Sequence, residues 1–85
     1  MLENTEKYLE KTDLSREHVE LDVGDLPPPE PLKNTLEKLT ELDDDVAVVQ
    51  YNDRKPKYLF PKLEERGYSH QTYEDERVVT VIWKK

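Results

Sequence analysis

Leu26-Pro27-Pro28-Pro29-Glu30-Pro31-Leu32 is the stretch on which the reading of the fold depends. Four of the chain's six prolines fall in it, so its backbone has little freedom. It separates two stretches with different periods. Before it, Val19-Glu20-Leu21-Asp22-Val23 alternates apolar and acidic residues without exception, which predicts a strand with one wet face. Gly24-Asp25 breaks that strand. After the prolines, Leu32, Leu36 and Leu39 recur at i, i+4 and i+7, with Leu42 a step further round. Lys33, Glu37, Lys38 and Glu41 lie off that face, so an amphipathic helix is predicted over 30–42. Pro29 and Pro31 suit a first helical turn; with Pro28 as N-cap they take positions N1 and N3. Asp43-Asp44-Asp45 would oppose the helix dipole at a C-terminus and is assigned to the turn beyond it.

Downstream, Val46-Ala47-Val48-Val49-Gln50-Tyr51 is nearly all apolar and rich in β-branched residues, the composition of a central strand. Asn52-Asp53-Arg54-Lys55-Pro56 has loop chemistry. Tyr58, Leu59 and Leu63 predict a second helix within 57–66 that starts late, near Pro61, and closes with Gly67 at C′. Residues 68–73 and 77–83 predict two strands joined through Glu74-Asp75-Glu76, the last one too apolar for a sheet edge. Residues 1–18 are polar, and a helix over Glu3–Lys11 would be marginal alone, so they are read as an N-terminal extension, a frayed helix outside the core of a domain spanning 19–85.

The order β-α-β-α-β-β has a consequence. Two strands joined by a helix are parallel through a right-handed crossover, and the last pair is a hairpin. An α/β (α+β) two-layer sandwich is predicted, with a four-stranded mixed sheet and both helices on one face. Parallel first and second strands bring the proline stretch beside Asn52-Asp53-Arg54, at the end of the sheet where open α/β folds place ligands.

At this point a resemblance emerges. Leu21-Asp22 followed by Leu26-Pro27-Pro28-Pro29-Glu30-Pro31-Leu32 resembles the sulfur-carrier proteins of the TusA/SirA type, whose first helix opens on Cys-Pro-x-Pro. Pro29-Glu30-Pro31 matches the Pro-x-Pro, and Pro28 stands where the persulfide-carrying Cys would be. The chain is more similar to a cysteine-free relative, domain of unknown function 2249, which has a Leu-Pro-Pro-Pro-Glu-Pro segment. That family's later segments look like Asn52-Asp53…Pro56 and Leu63-Glu64-Glu65-Arg66-Gly67 here. One departure is Asp25, where a glycine is expected before Leu26. The resemblance covers roughly 19–85 and implies a TusA-like two-layer fold with no established activity. Its relatives are often fused to hemerythrin-like or other redox-associated domains, which implies a redox-associated protein partner.

Composition bounds the function. Eighty-five residues make one small domain. A formal net charge of −7 repels phosphate backbones and anionic membranes, so neither nucleic acid nor membrane is an expected partner. A cationic protein surface is attracted, and the charge also maintains solubility. The chain has no cysteine, which excludes disulfides, thiolate metal sites and thiol catalysis, persulfide relay included. The opening residues Met1-Leu2-Glu3-Asn4-Thr5-Glu6 have no signal-peptide pattern, so a cytoplasmic monomer or weak oligomer is expected.

The residues at the proposed edge support little chemistry. Prolines at N1 and N3 leave only the Glu30 N–H in the first three helical positions, and its carboxylate repels a phosphate. His18 and His70 have no metal-ligand spacing, and the aspartate run lacks the spaced ligands and glycine of a calcium loop. Asp22, Asp25, Glu30 and Asp53 could pair as acid and base, but no nucleophile accompanies them. No enzyme activity, no cofactor and no metal are therefore expected. The expected role is a non-catalytic interaction or regulatory module with a footprint of Pro27, Pro28, Glu30, Asn52, Asp53 and Arg54. The alternative is a small-ligand or metal-binding domain using the edge near Glu30 and Asp53 together with His70.

Overall fold

A computed structural model describes residues 5–85. The elements in chain order are α1 (Thr5–Lys11), β1 (His18–Asp22), α2 (Glu30–Glu41), β2 (Ala47–Asn52), α3 (Leu59–Glu65), β3 (Tyr68–Glu74) and β4 (Val78–Lys84). The strands form one open sheet in the order β1-β2-β4-β3. β1 and β2 are parallel, with Val19 opposite Val48 and Asp22 opposite Tyr51. β4 lies antiparallel between β2 and β3, so the last strand is internal, as its composition predicts.

Every residue of β2 is buried. Strand alternation sends its side chains to two different layers. Val48, with Ile82 of β4, packs under α2 and α3 against Leu39, Leu59 and Leu63. Val49 and Tyr51, with Val79 and Val81, point the other way and meet Tyr8 and Leu9 of α1.

That second layer corrects the sequence reading. Residues 5–18 were expected to extend outside the core, yet Tyr8 and Leu9 are buried within it. Among the described residues there are three helices rather than two, one of them on the sheet face opposite the other pair. The first four residues of the expected extension lie outside the described residues. A seven-residue helix has little stability of its own, so α1 is held by what it touches. Leu14 N–H donates to Leu9 O at 3.0 Å and Asp13 N–H to Glu10 O at 3.0 Å, with Asp13 at φ 58°. This is a Schellman stop with Asp13 at C′, and it returns Leu14 to the layer that holds Leu9. Around the rim, Thr5 hydroxyl bonds Glu20 and Tyr51, and Tyr8 hydroxyl donates to Asp75 at 2.9 Å.

Smaller boundaries shift as well. The N-cap of α2 is Pro29, not Pro28, which puts Glu30 at N1 and Pro31 at N2. α3 starts at Leu59, two residues before Pro61, so the proline still sits in the first turn, where its missing N–H costs nothing. Gly67 follows the helix at φ 82°, the left-handed conformation expected at C′.

Because α1 belongs to the core, Leu9→Ala is expected to lower the unfolding free energy by about 2–5 kcal/mol, the range for a buried leucine, in urea titrations followed by Trp83 fluorescence. The Tyr8 phenol gives a second handle. Burial, then the bond to Asp75, pushes it up to about 12 from 10.0. A folded value above the unfolded one means that this contribution is complete below pH 10 and lost as pH rises through 12. Stability in alkali is therefore expected to fall across that interval, and less so in Tyr8→Phe.

Candidate functional site

The parallel pairing of β1 and β2 brings their C-terminal ends together, and Val23 N–H donates to Tyr51 O at 2.9 Å. Past that bond the two chains turn toward their helices, α2 after the prolines and α3 after Asn52–Tyr58. The turns are tied by a residue from elsewhere. Arg77, just before β4, donates from Nη1 and Nη2 to the two Asp22 oxygens at 2.8 and 2.7 Å, and from Nη2 to Asp53 Oδ1 at 3.4 Å. Its guanidinium carbon also lies 5.9 Å from the Tyr51 ring centre. Gly24 leaves room for this arrangement: a Cβ there would overlap Arg77 Nη2 and come within 2.9 Å of Asp53 Oδ1.

Electrostatically the cluster is nearly closed. The hydrogen bonds from Arg77, helped by the Gly24 N–H, hold the Asp22 carboxyl down at about 2 against an opposing effect of burial. The same bonds raise the already high value of Arg77. A two-point guanidinium–carboxylate fork is the strong form of such a pair. Neither partner has a free proton to give near neutral pH, so the cluster is a clasp and not an acid–base pair.

The residues expected to form the footprint fall into different roles. Pro27 and Pro28 are exposed, as are Asp53 and Arg54, whereas Glu30 is half-buried. Asn52 is only 6% exposed, and its Oδ1 accepts the Asp53 N–H at 2.7 Å and the Arg54 N–H at 3.4 Å. It shapes the loop from inside. The N-terminus of α2 offers few donors, because Pro31 has no N–H and that of Glu30 donates to Pro27 O at 2.9 Å, which leaves that of Leu32 at N3.

His70 does not join this edge. It pairs across the sheet with Ile82, which pairs with Val48, whereas the edge row is Glu74, Val78 and Asn52. Four residues of strand set it roughly 13 Å below that row, and two strands lie between. It stacks on Phe60 at 4.6 Å, beside Glu64 at 3.4 Å. The alternative metal or ligand site that joins His70 to Glu30 and Asp53 is thus not assembled. No group of three potential ligands occurs among the described residues.

Two features of the edge escaped the sequence reading. Arg77 lies 55 residues from Asp22, and no local pattern links them. Tyr58, the N-cap of α3, is 80% exposed and stands on the loop leaving β2. Among the described residues Leu26, in the proline stretch, is the other large apolar side chain left exposed.

A family profile described as "Uncharacterized conserved protein (DUF2249)" matches residues 20–84. The chain belongs to that family. Comparison with curated proteins and with solved structures returned no match. The matched span of the DUF2249 domain begins inside β1 and runs to the last residue of β4, so it holds every residue of the clasp and leaves α1 outside. No helix among the described residues is long and apolar enough to cross a membrane.

The clasp of this DUF2249 domain predicts an acid transition. The folded Asp22 value of about 2 lies below its ordinary 3.8, so the stabilisation is complete above that ordinary value and lost as pH falls through about 2. In Arg77→Gln the Asp22 carboxyl is expected to titrate near 4, observed as the carboxyl carbon shift in NMR. The stability change below pH 4 should flatten at the same time.

Proposed function

We propose that this DUF2249 domain is a non-catalytic interaction or regulatory module of the cytoplasm that binds a partner protein through the edge at the C-terminal ends of β1 and β2. The observation that carries the reading is the Arg77 clasp. It holds the roots of two loops together, through Asp22 and Asp53, while Pro27, Pro28, Arg54 and Tyr58 remain outside. A stiff surface loses little conformational freedom on binding. Arginine and tyrosine are also the residue types most enriched at the energetic centres of interfaces.

The fold belongs, on this reading, with the TusA-like domains, and Pro28 occupies the position of their sulfur-carrying cysteine. The chain has no thiol to relay sulfur, and the start of α2 has few donors to hold a phosphate. What the edge retains is shape. The footprint is refined to Pro27, Pro28, Glu30, Asp53, Arg54 and Tyr58, with Asn52 as its internal support, and the redox-associated proteins implied by the resemblance are the first partners to test.

The test is co-purification of the chain at native levels, followed by amide-shift mapping with the recovered protein. Shifts are expected at Glu30 and across 53–58, and Arg54→Glu is expected to weaken binding about tenfold or more, roughly 1.4 kcal/mol. Shifts confined to α1 or to the outer edge at β3 would overturn the assignment.

A further inference from the structure

The sheet has a second open feature, along the outer side of β1. Among the described residues no strand pairs with the outer side of β1. Its backbone polarity follows from the two bonds that bracket it, Ala47 N–H to Glu17 O at 2.8 Å and Val23 N–H to Tyr51 O at 2.9 Å. In a parallel ladder alternate residues address the same neighbour, so 17, 19, 21 and 23 bond β2. His18, Glu20 and Asp22 turn their N–H and C=O groups outward.

Beside that edge runs an open groove of about 330 Å³ between β1 and α2. Its floor is apolar, from Leu21, Val23 and the exposed Leu26. Its wall is one stripe of α2, Asn34, Glu37 and Glu41, at i, i+3 and i+7. Lys38 also lines it and reaches Glu41 only at 3.8 Å, between exposed side chains. Glu20 adds a further acid on the opposite face of β1.

We propose that β1 and this groove take up an extended segment of a basic protein as a fifth strand. Main-chain bonds to His18, Glu20 and Asp22 would supply affinity, and side chains alternating along the added strand would supply selection. Apolar residues enter over Leu21 and Leu26, the alternate Lys or Arg residues meet Glu20 on the other face, and Glu37 and Glu41 deepen the negative field along the groove. The net charge of −7 favours a cationic partner over a neutral one. The same charges discourage pairing of β1 with its own copy, as like charges on an edge strand do.

The experiment uses the full chain and a short acetylated peptide alternating Lys and Val, with a Glu–Val peptide as control. With Lys–Val, amide exchange at His18, Glu20 and Asp22 is expected to slow while that at Val19 and Leu21 stays unchanged, and Leu26 is expected to shift. The response should weaken as salt rises. His18→Pro removes an outward donor at the start of the strand and leaves the bonds to β2 in place, so the response should weaken with the fold retained. Glu37→Lys with Glu41→Lys should reduce it without touching the backbone. An equal response to Glu–Val, no protection at the three amides, or concentration-dependent self-pairing at β1 without peptide would each overturn the proposal. Shifts at 53–58 report on the proline edge, so the two surfaces are read separately.

Discussion

The two inner strands must be dry on both faces, and the rest of the architecture follows from that requirement. β2 has no exposed residue, and Val79, Val81 and Ile82 of β4 are buried alongside it. A sheet with helices on one side only would leave Val49, Tyr51, Val79 and Val81 in water, four side chains worth about 1.5–3 kcal/mol each when buried. Two leucine-bearing helices close one side. The other is closed by a seven-residue helix whose burial is confined to Thr5, Tyr8 and Leu9. Even so short an element suffices, because Leu14, Tyr73 and Trp83 surround it and complete the cover.

Much of this could be read from the residues alone, and the failures have physical causes. The period of two before the prolines and the spacing of Leu32, Leu36 and Leu39 after them located β1 and α2, because each pattern buries one face of one element. Gly67 marks the C-terminus of α3 by a backbone geometry that holds in any context, whereas Pro61 marks its first turn and not its start, since a proline is tolerated anywhere in that turn. α1 is hidden in the sequence because two adjacent apolar residues, Tyr8 and Leu9, make no helical stripe. The clue lay in β4, where Val79, Val81 and Trp83 alternate with Val78, Thr80 and Ile82, so that both faces need a cover. At the edge, Asp22, Asp53 and the prolines were brought near each other by topology alone. Arg77 could not be foreseen, since its partners are fixed by tertiary distance. Asn52 carries two readings in sequence, contact residue or loop support, since an asparagine at a strand end readily bonds the next two amides, as it does here.

The charge distribution makes the same separation between structure and surface. The acids with well-defined partners, Asp22 with Arg77 and Asp75 with Tyr8 and Lys7, hold loops or α1 in place. Those along the outer stripe of α2 hold nothing in the fold, and exposed pairs such as Lys38 with Glu41 contribute little to stability. A large negative charge is tolerated because most of it is set where it costs the fold little.

Beneath α2 lies a polar contact that gives the helix its address. Gln50 is fully buried, its amide donates to Thr35 Oγ1 at 2.6 Å, and its Oε1 has no partner. Turning the amide over would only exchange which atom is left alone. Leucines slide over valines at little cost, so an apolar seam by itself would let α2 settle a turn up or down the sheet. Each such step would strand the second amide atom as well, a penalty of about 1–3 kcal/mol. Gln50 acts as a detent, keeping α2 in one notch and, through it, the proline stretch at one height above the sheet.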